Sequence, residues 1–419
     1  MIVNGKRELA YVVKIDDIKP IEGSDNCECA VVGGWQVMVH KNEFKPGDLA
    51  VFFEVDSRLD VTKPEFEFLA KRNGKIKTQK YTFGGKGNFI SQGLLMSAES
   101  LGWRVFKNLE TGEPISLCDT NNLNHTTSPE NGGLTDILGV TYAVDEDNKR
   151  KANTIDPNAK YQSMAARHSN LFKKKPIRWL MRRNWGKRLL FIFFGKKKDN
   201  PLAFPTQFPF VHKTDEERIE NLPNLLGYPN ELVVTEKLDG TSTTFILARQ
   251  KHKKNKFEFY VVSRNVRQLK PDQECYHENN IYWEMANKYS IESILTKYLQ
   301  QHPEESYVAI QGESVGNVQG NPLKLAENDF YAFNFITSTK GRIPSIEGEI
   351  ILQPYDIKWV PILDTHYKMP TTMEEVKEYA TAQSIVNPTV LREGVVLRDP
   401  TNDLSFKNVS REYLLKHNG

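Results

Sequence analysis

One short stretch, VVTEKLDGTSTTFIL at Val233–Leu247, limits the possible folds of this 419-residue chain more than any other. Runs rich in β-branched and aromatic residues stand on both sides of a polar turn, and this pattern predicts two β-strands. The first strand ends at Lys237, beside the Asp239-Gly240 turn. The stretch therefore predicts β-structure in the second half of the chain, with an amine held at a strand end.

Lys237 has two interpretations. A K-x-D-G match arises by chance in roughly one chain in ten of this length, and an exposed hairpin end would account for it. As a nucleophile, the amine would have a pKa lowered by neighbouring cations or a metal, and it would attack an electrophilic phosphorus at neutral pH. The Asp239-Gly240 turn would then place a carboxylate near a nucleotide sugar and let the backbone pass close to it.

Composition and charge exclude several classes of protein. The hydrophobic fraction of 39% and the charged fraction of 26% indicate a soluble globular protein with two or three domains. With a net charge of +3, a polyanion site must be a local cluster of cations. No signal core opens the chain, and its longest apolar run, Leu189–Phe194, is too short to cross a bilayer. No CxxC pair is present, which favours reduced thiols in an intracellular, cytoplasmic protein, with a nuclear location also open; the cysteines are Cys27, Cys29, Cys118 and Cys275.

Three regions differ in their sequence patterns. Up to residue 105, short β-rich segments alternate with turns, as in a small β-barrel with one helix at Pro64–Arg72. Residues 106–200 are poor in β pattern, which favours a connector with an insertion. From residue 201 to 419, strand patterns mix with helical ones at Ile281–Gln301 and Thr372–Gln383. This division predicts an α+β protein with domains at 1–105 and 201–419.

Five further segments follow Lys237 in order. They are SRN at 263–265, QGESVG at 311–316, FYAFNF at 330–335, REGVVLR at 392–398 and SFKNV at 405–409. Together with the lysine segment, this set resembles the motifs of the covalent nucleotidyltransferases, the polynucleotide ligases and RNA capping enzymes.

Two other segments narrow the resemblance to RNA ligases. FPFVHKTDEERIENLPNLL at 208–226 resembles the lead-in to their lysine motif, and residues 15–57 resemble the OB domain of the Deinococcus and Naegleria type of ATP-dependent RNA ligase. The likeness covers about residues 8–103 and 205–419. DNA ligases and capping enzymes carry an OB domain after the last lysine motif, whereas twelve residues follow Lys407 here. The resemblance implies an N-terminal OB-fold barrel, then an antiparallel-sheet nucleotidyltransferase domain.

The resemblance assigns catalytic and nucleotide contacts. Lys237 would attack the α-phosphorus of ATP and form a lysyl-AMP, and Lys407 would hold the α-phosphate while pyrophosphate leaves. Phe333 would stack on adenine, although a core phenylalanine also fits the pattern. Glu236 would lie at the adenine edge through its backbone, and Asp239 at the ribose. Only one lysine can be assigned around Lys407, because the segment departs from the commonest K-x-K pattern.

The remaining matched residues would contact sugar, phosphate or metal. Arg264 would contact the sugar or the incoming RNA end, with a surface arginine as the alternative, and Glu313 would contact the ribose. Glu393 would bind a divalent cation, Mg²⁺ or Mn²⁺, mostly through water. Arg218 is a candidate for a nucleotide or phosphate contact, with a salt bridge as an equal alternative. Gly240 would let the backbone approach the nucleotide.

These roles imply an ATP-dependent RNA ligase. It would seal a 3′-hydroxyl to a 5′-phosphate at a nick or break in RNA, act as a monomer, and use its OB domain to bind RNA on the 3′-hydroxyl side of the break. The alternatives are a non-catalytic nucleic-acid-binding platform and a capping-type guanylyltransferase. Retention of the charged residues speaks against a platform, and the choice between ATP and GTP distinguishes the capping enzyme.

A separate signal is the run FKKKPIRWLMRRNWGKRLLFIFFGKKK at Phe172–Lys198. It carries eleven Lys and Arg and no acidic residue, with tryptophans and apolar residues between them. Three interpretations stay open: contact with an RNA backbone, a basic amphipathic segment on a membrane or partner surface, or a solvated helical insertion packed on the catalytic domain.

Overall fold

The computed structural model describes residues 1–3, 6–83, 87–119, 126–129, 133–143, 161, 164–165, 169–172, 174–194, 203–250, 256–268 and 280–417. None of the helices in these ranges combines the length and apolar character that a membrane-spanning helix needs. Cys27 and Cys29 are free thiols, whereas Cys275 lies outside the described residues.

The first part of the chain consists of short strands in small antiparallel sheets. The strands are β1 (Ile2–Val3), β2 (Lys6–Arg7), β3 (Ala10–Lys14), β4 (Asp17–Pro20), β5 (Cys27–Val32), β6 (Trp35–His40), β7 (Leu49–Phe53), β8 (Ser57–Arg58), β9 (Gln79–Phe83), β10 (Gly87–Ser91), β11 (Leu94–Ser97), β12 (Trp103–Lys107), β13 (Pro114–Asp119), β14 (Thr126–Thr127) and β15 (Thr141–Tyr142). The orders β11-β7-β3 and β4-β5-β6 define the two main sheets.

These two sheets share one core because their side chains alternate. Along β6, Trp35, Val37 and Val39 point inward and are buried, while the residues between them are more exposed. They pack with Phe52 of β7 and Leu95 of β11 in one hydrophobic cluster. A barrel-like unit results, as the alternating β-rich segments predicted. The predicted helix is also present, as a 3₁₀ helix at Pro64–Arg72.

The structure differs from the expected connector at residues 106–200. Strand β13 pairs with β12, and the short strand β15 pairs with β8, so strand pairing continues well beyond residue 105. Leu117 and Leu134 are buried in the same cluster as Val12 and Val51 of the first sheet. Residues 114–119 and 133–143 are therefore part of the N-terminal unit, because their apolar side chains complete its core. The three-part division of the chain itself stays a prediction.

The second part contains two larger sheets. Its strands are β16 (Glu217–Arg218), β17 (Leu232–Lys237), β18 (Thr241–Arg249), β19 (Phe257–Ser263), β20 (Tyr307–Val315), β21 (Asp329–Thr337), β22 (Gly341–Arg342), β23 (Lys358–Trp359), β24 (Ile362–Tyr367), β25 (Gly394–Arg398) and β26 (Ser405–Val409). The five-stranded sheet has the order β16-β26-β25-β17-β24, and the six-stranded sheet the order β19-β18-β20-β21-β22 with β23 beside β21. All pairs are antiparallel except β16 with β26 and β21 with β23. The predicted α+β class with antiparallel sheets is confirmed.

Helices cover the sheets and form a separate hairpin. They are α1 (Thr135–Leu138), α2 (Ser169–Phe172), α3 (Lys175–Met181), α4 (Asn184–Phe194), α5 (Ile281–Lys288), α6 (Ile291–Gln301), α7 (Ser345–Leu352), α8 (Met373–Ala380) and α9 (Arg411–His417). Short 3₁₀ helices also occur at Glu99–Leu101, Ile219–Asn221, Pro223–Leu225 and Gln353–Tyr355.

The helical spacing of 281–301 is confirmed, and the chain forms two helices there, α5 and α6. Asn280 caps α5, where its side chain accepts hydrogen bonds from the N–H groups of Tyr282 and Trp283. Ser290 then adopts a left-handed conformation with φ of 52°, which interrupts the helix. Both helices keep one apolar face against the six-stranded sheet, with Leu295 and Leu299 fully buried there.

Candidate active site

A cleft lies where the chain crosses from one large sheet to the other. Strand β17 belongs to the five-stranded sheet and β18 to the six-stranded sheet. The two predicted strands are therefore present, but they form no hairpin, and Lys237 stands at the crossing. The cleft has a volume of about 430 Å³ and is lined by both sheets and by Asp56 and Tyr142 of the N-terminal unit. Pockets for small ligands have this order of size.

Lys237 is held at the centre of the cleft by strand register. It pairs with Gly394 across β17 and β25, which brings the preceding residue, Glu393, beside the amine. Lys237 Nζ donates a hydrogen bond to Glu393 Oε2 at 2.5 Å. Burial lowers the pKa of Lys237, but Glu393 and Glu313 raise it, and the net result is a raised pKa. Carboxylates dominate the surroundings of the amine, so the expectation that neighbouring cations lower this pKa is wrong, while a lowering by a bound metal stays a prediction.

The cleft contains a surplus of carboxylates. Burial, together with the charges of Glu393 and Asp239, raises the pKa of Glu313 to about 8, although Lys237 opposes the shift. Burial and the charge of Asp239 raise the pKa of Glu393 as well. Asp239 Oδ2 accepts a hydrogen bond from the Tyr413 hydroxyl at 2.6 Å. Like charges at close range disfavour full ionisation, so this group favours uptake of a cation.

The donor set fits a hard divalent cation rather than a closed protein cage. Within the described ranges, no group of three or more His, Cys, Asp and Glu side chains is arranged to hold a metal ion. Magnesium and manganese commonly take one or two carboxylates and complete their shells with water and phosphate oxygens. Burial and neighbouring carboxylates raise the pKa values of Glu313 and Glu393, whereas Lys237 opposes the shift at both, with Arg264 acting on Glu313 and Lys407 on Glu393. The assignment of Glu393 as the metal ligand stays a prediction.

Glu236 and Gly240 have structural contacts of their own. The buried Glu236 carboxylate accepts a hydrogen bond from the Ile385 N–H at 2.8 Å, so the side chain anchors a loop. A Cβ at Gly240 would lie 2.4 Å from the Ser314 carbonyl oxygen. The glycine is therefore required by close packing of the crossing against β20. Both residues line the cleft, and their predicted contacts with a nucleotide are untested.

Lys407 stands on β26, which only β25 separates from the strand of Lys237, and it shares a carboxylate with other cations. Its Nζ is 3.1 Å from Asp215 Oδ1, while Arg264 Nη2 is 3.4 Å from Asp215 Oδ2. Arg7 of the N-terminal unit reaches Asp215 Oδ1 at 3.4 Å. Burial lowers the pKa of Lys407 to about 8, and Asp215 opposes this shift. Asp215 therefore keeps a buried ammonium charged in the cleft.

Arg218 combines a salt bridge with free hydrogen-bonding capacity. Its Nη2 donates to Asp56 Oδ2 at 3.0 Å, which joins β16 to the N-terminal unit. The side chain is buried, and its Nε and Nη1 have no hydrogen-bond partner among the described residues. Buried unpaired donors are costly unless a ligand satisfies them. Both predicted roles, the salt bridge and the anion contact, fit this geometry.

Phe333 is a cleft residue that also packs on the core. It is partly buried against the main hydrophobic cluster of the six-stranded sheet and lines the cleft with its exposed part. Arg398 Nη1 donates to the Phe333 carbonyl at 2.7 Å and fixes the backbone of β21 at this point. An aromatic ring fixed in this way is suited to stacking on a base. The two interpretations of Phe333 are compatible.

Several residues of the cleft were missed by the sequence analysis. Asp56 lies in the segment that resembles the OB domain, Tyr142 in the predicted connector, and Tyr413 after the last matched motif. Asp215 lies in the segment 208–226 and Arg398 in the segment 392–398. The resemblance to RNA ligases could therefore have identified both residues. Only the fold brings these residues together, with Arg264 lying over the Tyr142 ring at 5.6 Å.

Comparison with known proteins agrees with this architecture. A family model described as an OB-fold domain matches residues 9–97, and a model described as RNA ligase matches residues 230–416. No curated protein sequence matches the chain significantly.

Solved structures of one enzyme match the whole chain. Naegleria gruberi RNA ligase with PPi has 25% sequence identity and a TM-score of 0.64, with 99% of each chain covered. A mutant of that ligase with ATP and Mn has 25% identity and a TM-score of 0.65, covering 99% of this chain and 100% of the other. Another mutant, with AMP and Mn, has 25% identity and a TM-score of 0.66, with 98% and 99% covered. The order of domains and the cleft agree with both family models, and over nearly its whole length the chain is similar to an RNA ligase with an N-terminal OB domain.

Proposed function

We propose that this chain is an ATP-dependent RNA ligase that works through a covalent lysyl-AMP on Lys237. The observation that carries the proposal is the position of Lys237 at the crossing of the two sheets, bonded to Glu393 and facing a cleft that also contains Lys407. The similar Naegleria ligase is described with ATP, with AMP and with PPi; ATP is the substrate of such a step, PPi its leaving group, and AMP the group transferred to the lysine.

The first step transfers AMP to the enzyme. Lys237 Nζ attacks the α-phosphorus of ATP, an N–P bond forms, the P–O bond to the β-phosphate breaks, and pyrophosphate leaves. Lys407 and Arg218 are the cations that can balance charge on the phosphates, since one is held charged by Asp215 and the other has unpaired donors. A bound Mg²⁺ or Mn²⁺ would neutralise phosphate and carboxylate charge, which lowers the pKa of the attacking amine.

The next two steps join the RNA ends. An oxygen of the RNA 5′-phosphate attacks the phosphorus of the lysyl-AMP, which releases Lys237 and forms an adenylylated 5′ end. The 3′-hydroxyl then attacks the 5′-phosphorus and expels AMP. We propose a nicked or broken RNA as substrate, a monomeric enzyme, and contact between the N-terminal unit and the RNA on the 3′-hydroxyl side.

Labelling tests the covalent step. The purified protein is incubated with α-labelled ATP or GTP and a divalent cation, and denaturing electrophoresis then separates labelled protein. We expect label from ATP in the wild type and none in Lys237→Ala, because no other amine occupies the crossing. Lys340→Ala, at an exposed lysine, is the matched control and should keep the label.

Each other result points to a different function. Label from GTP alone would identify a capping-type guanylyltransferase. Absence of label with either nucleotide and either Mg²⁺ or Mn²⁺ would favour a nucleic-acid-binding platform. Retention of label in Lys237→Ala would refute the assignment of the nucleophile.

A further inference from the structure

A basic helical hairpin stands apart from the ligase cleft. We use the name basic hairpin for residues 174–194, which contain α3 and α4. The surrounding run from 172 to 198 carries eleven Lys and Arg and no acidic residue. Among the described residues that line the cleft, none belongs to the basic hairpin. Its function is therefore separate from the chemistry of sealing.

One face of the basic hairpin is buried in a small hydrophobic cluster. Met181 of α3 and Leu190 of α4 are buried, and they form a small hydrophobic cluster with Phe172 and with Tyr161 and Met164. This cluster provides the hairpin with its own core. The interpretation that its apolar stripe packs on the catalytic domain is therefore not needed to explain these buried residues.

The opposite face exposes a continuous apolar stripe. Trp185, Leu189, Ile192 and Phe193 recur at helical spacing along α4, and their side chains are 54, 43, 67 and 73% exposed. Trp179 of α3 is 50% exposed and extends the stripe, with its ring centroid 6.2 Å from that of Trp185. No other stretch of this length in the described ranges exposes as many large apolar side chains.

Cations border the apolar stripe. Arg183 lies over the Trp179 ring, with its Cζ 4.2 Å from the ring centroid. Arg182 and Arg188 are also exposed on the hairpin. An amphipathic helix with aromatic and aliphatic residues on one face and Lys and Arg around it has the composition of segments that lie in the surface of a negatively charged membrane.

We propose that the basic hairpin docks the protein on an anionic lipid surface. The stripe would enter the boundary between headgroups and acyl chains, and the surrounding cations would contact anionic headgroups. Lipid fits better than RNA because Leu189 and Ile192 are aliphatic, whereas stacking on bases uses aromatic and guanidinium planes. The two tryptophans suit the headgroup level, where one end of the ring is apolar and the other is hydrated.

The test is flotation of the full chain with lipid vesicles. We expect binding to vesicles of phosphatidylcholine mixed with phosphatidylserine, little binding to phosphatidylcholine alone, and a blue shift of tryptophan fluorescence on binding. The double variant Ile192→Ser, Phe193→Ser should weaken binding by roughly tenfold or more. Ile350→Ser, at a 61% exposed isoleucine on α7, is the matched control and should bind as the wild type does.

A charge variant separates the two contributions. Arg182→Glu combined with Arg183→Glu should remove binding to anionic vesicles, and added salt should weaken the wild type in the same direction. Labelling with α-labelled ATP verifies that each variant is folded, because the hairpin lines no part of the cleft. Wild-type protein that stays with neither kind of vesicle would overturn the proposal without any variant.

Two outcomes would assign the hairpin to another partner. If a fluorescent single-stranded RNA loses affinity in both variants while vesicle binding is unchanged, the basic hairpin is an RNA contact. If light scattering shows a dimer that Ile192→Ser, Phe193→Ser converts to a monomer, and vesicles are not bound, the stripe is an interface between two copies. Either result overturns docking on lipid.

Discussion

The Asp215 carboxylate holds three cations in place at the cleft. Lys407, Arg264 and Arg7 all contact its carboxylate, and these three cations come from three different parts of the chain. Burial would raise the pKa of Asp215, but the cations hold it at about 2. The residue is therefore ionised at every pH at which the enzyme would work, and it positions the cations before a nucleotide enters.

Asp215→Asn should make adenylylation more sensitive to alkaline pH. The pKa of Lys407 is about 8 with Asp215 present, and loss of the carboxylate lowers it further. Lys407 then loses its proton at a lower pH, and phosphate binding weakens. We expect the ratio of wild-type to variant labelling rates to grow by roughly tenfold between neutral pH and pH about 9. Asp403→Asn, at an exposed carboxylate paired with Arg342, is the control. A ratio that stays constant with pH would contradict this role of Asp215.

At the scale of the element, the crossing between β17 and β18 determines the geometry of the site. Its three residues, Leu238 to Gly240, join strands of two different sheets. Leu238 is buried in the core of the six-stranded sheet, Asp239 is bonded to Tyr413 of α9, and Gly240 packs against β20. Lys237 is thereby fixed from both sides.

Gly240→Ala should disrupt both stability and labelling. The added Cβ would lie 2.4 Å from the Ser314 carbonyl oxygen and 2.9 Å from Val315 Cγ1, so the crossing must move and Lys237 with it. We expect a loss of about 1–3 kcal/mol in the free energy of unfolding, measured with urea, and a large loss of label from ATP. Gly102→Ala is the control, since a Cβ there meets no atom within 4 Å and only its positive φ of 69° adds strain. Equal costs for the two variants would refute the packing argument.

At the scale of the whole molecule, a buried polar network joins the N-terminal unit to the catalytic unit. Glu54 is fully buried and accepts hydrogen bonds from Arg7, Tyr11 and Asn221. Asn221 in turn accepts from Trp35 Nε1 at 2.7 Å. Arg411 Nε donates to Gln92 Oε1 at 3.0 Å and makes a second connection between the units. The cleft therefore includes Asp56 and Tyr142 because the two units are bonded through these groups.

Because of Glu54, the free energy of unfolding should decrease as the pH falls into the acidic range. Burial would raise its pKa, but Arg7, the Met1 amino group and Arg218 hold it at about 2, below its ordinary value of 4.5. A depressed carboxyl pKa gives stability that is complete above pH 4.5 and is lost as the pH falls toward 2. The difference corresponds to about 3 kcal/mol, which urea unfolding at a series of pH values would measure.

Glu54→Gln should remove this dependence and lower stability at neutral pH by about 3–5 kcal/mol, because Arg7 and the Met1 amino group lose their closest carboxylate and keep the longer contacts with Asp215 and Glu217. Glu22→Gln, at an exposed carboxylate of the same unit, should change neither quantity measurably. An unchanged slope of stability against pH in Glu54→Gln would show that the network does not couple the units.

The site residues were predictable where a local sequence pattern carries the chemistry. Lys237, Asp239, Glu313, Glu393 and Lys407 stand in short segments whose order alone indicated one cleft, and the structure brings all five to it. The split between α5 and α6 was not predictable, because the apolar spacing of 281–301 continues across Ser290 and only its left-handed conformation interrupts the helix. The packing of 114–119 was missed because a strand of six residues gives a weak pattern, although Leu117 is fully buried.

The sequence by itself determined the class of fold, the order of the two domains and the resemblance to RNA ligases, because alternating strands and ordered motifs are local signals. Only the tertiary structure decided that β17 and β18 separate into two sheets, that the pKa of Lys237 is raised rather than lowered, and that Asp56 and Tyr142 reach the cleft. The physical reason is that sheet membership and electrostatic environment depend on residues far apart in the chain. A short segment of sequence does not specify which distant residues will surround it in the folded protein.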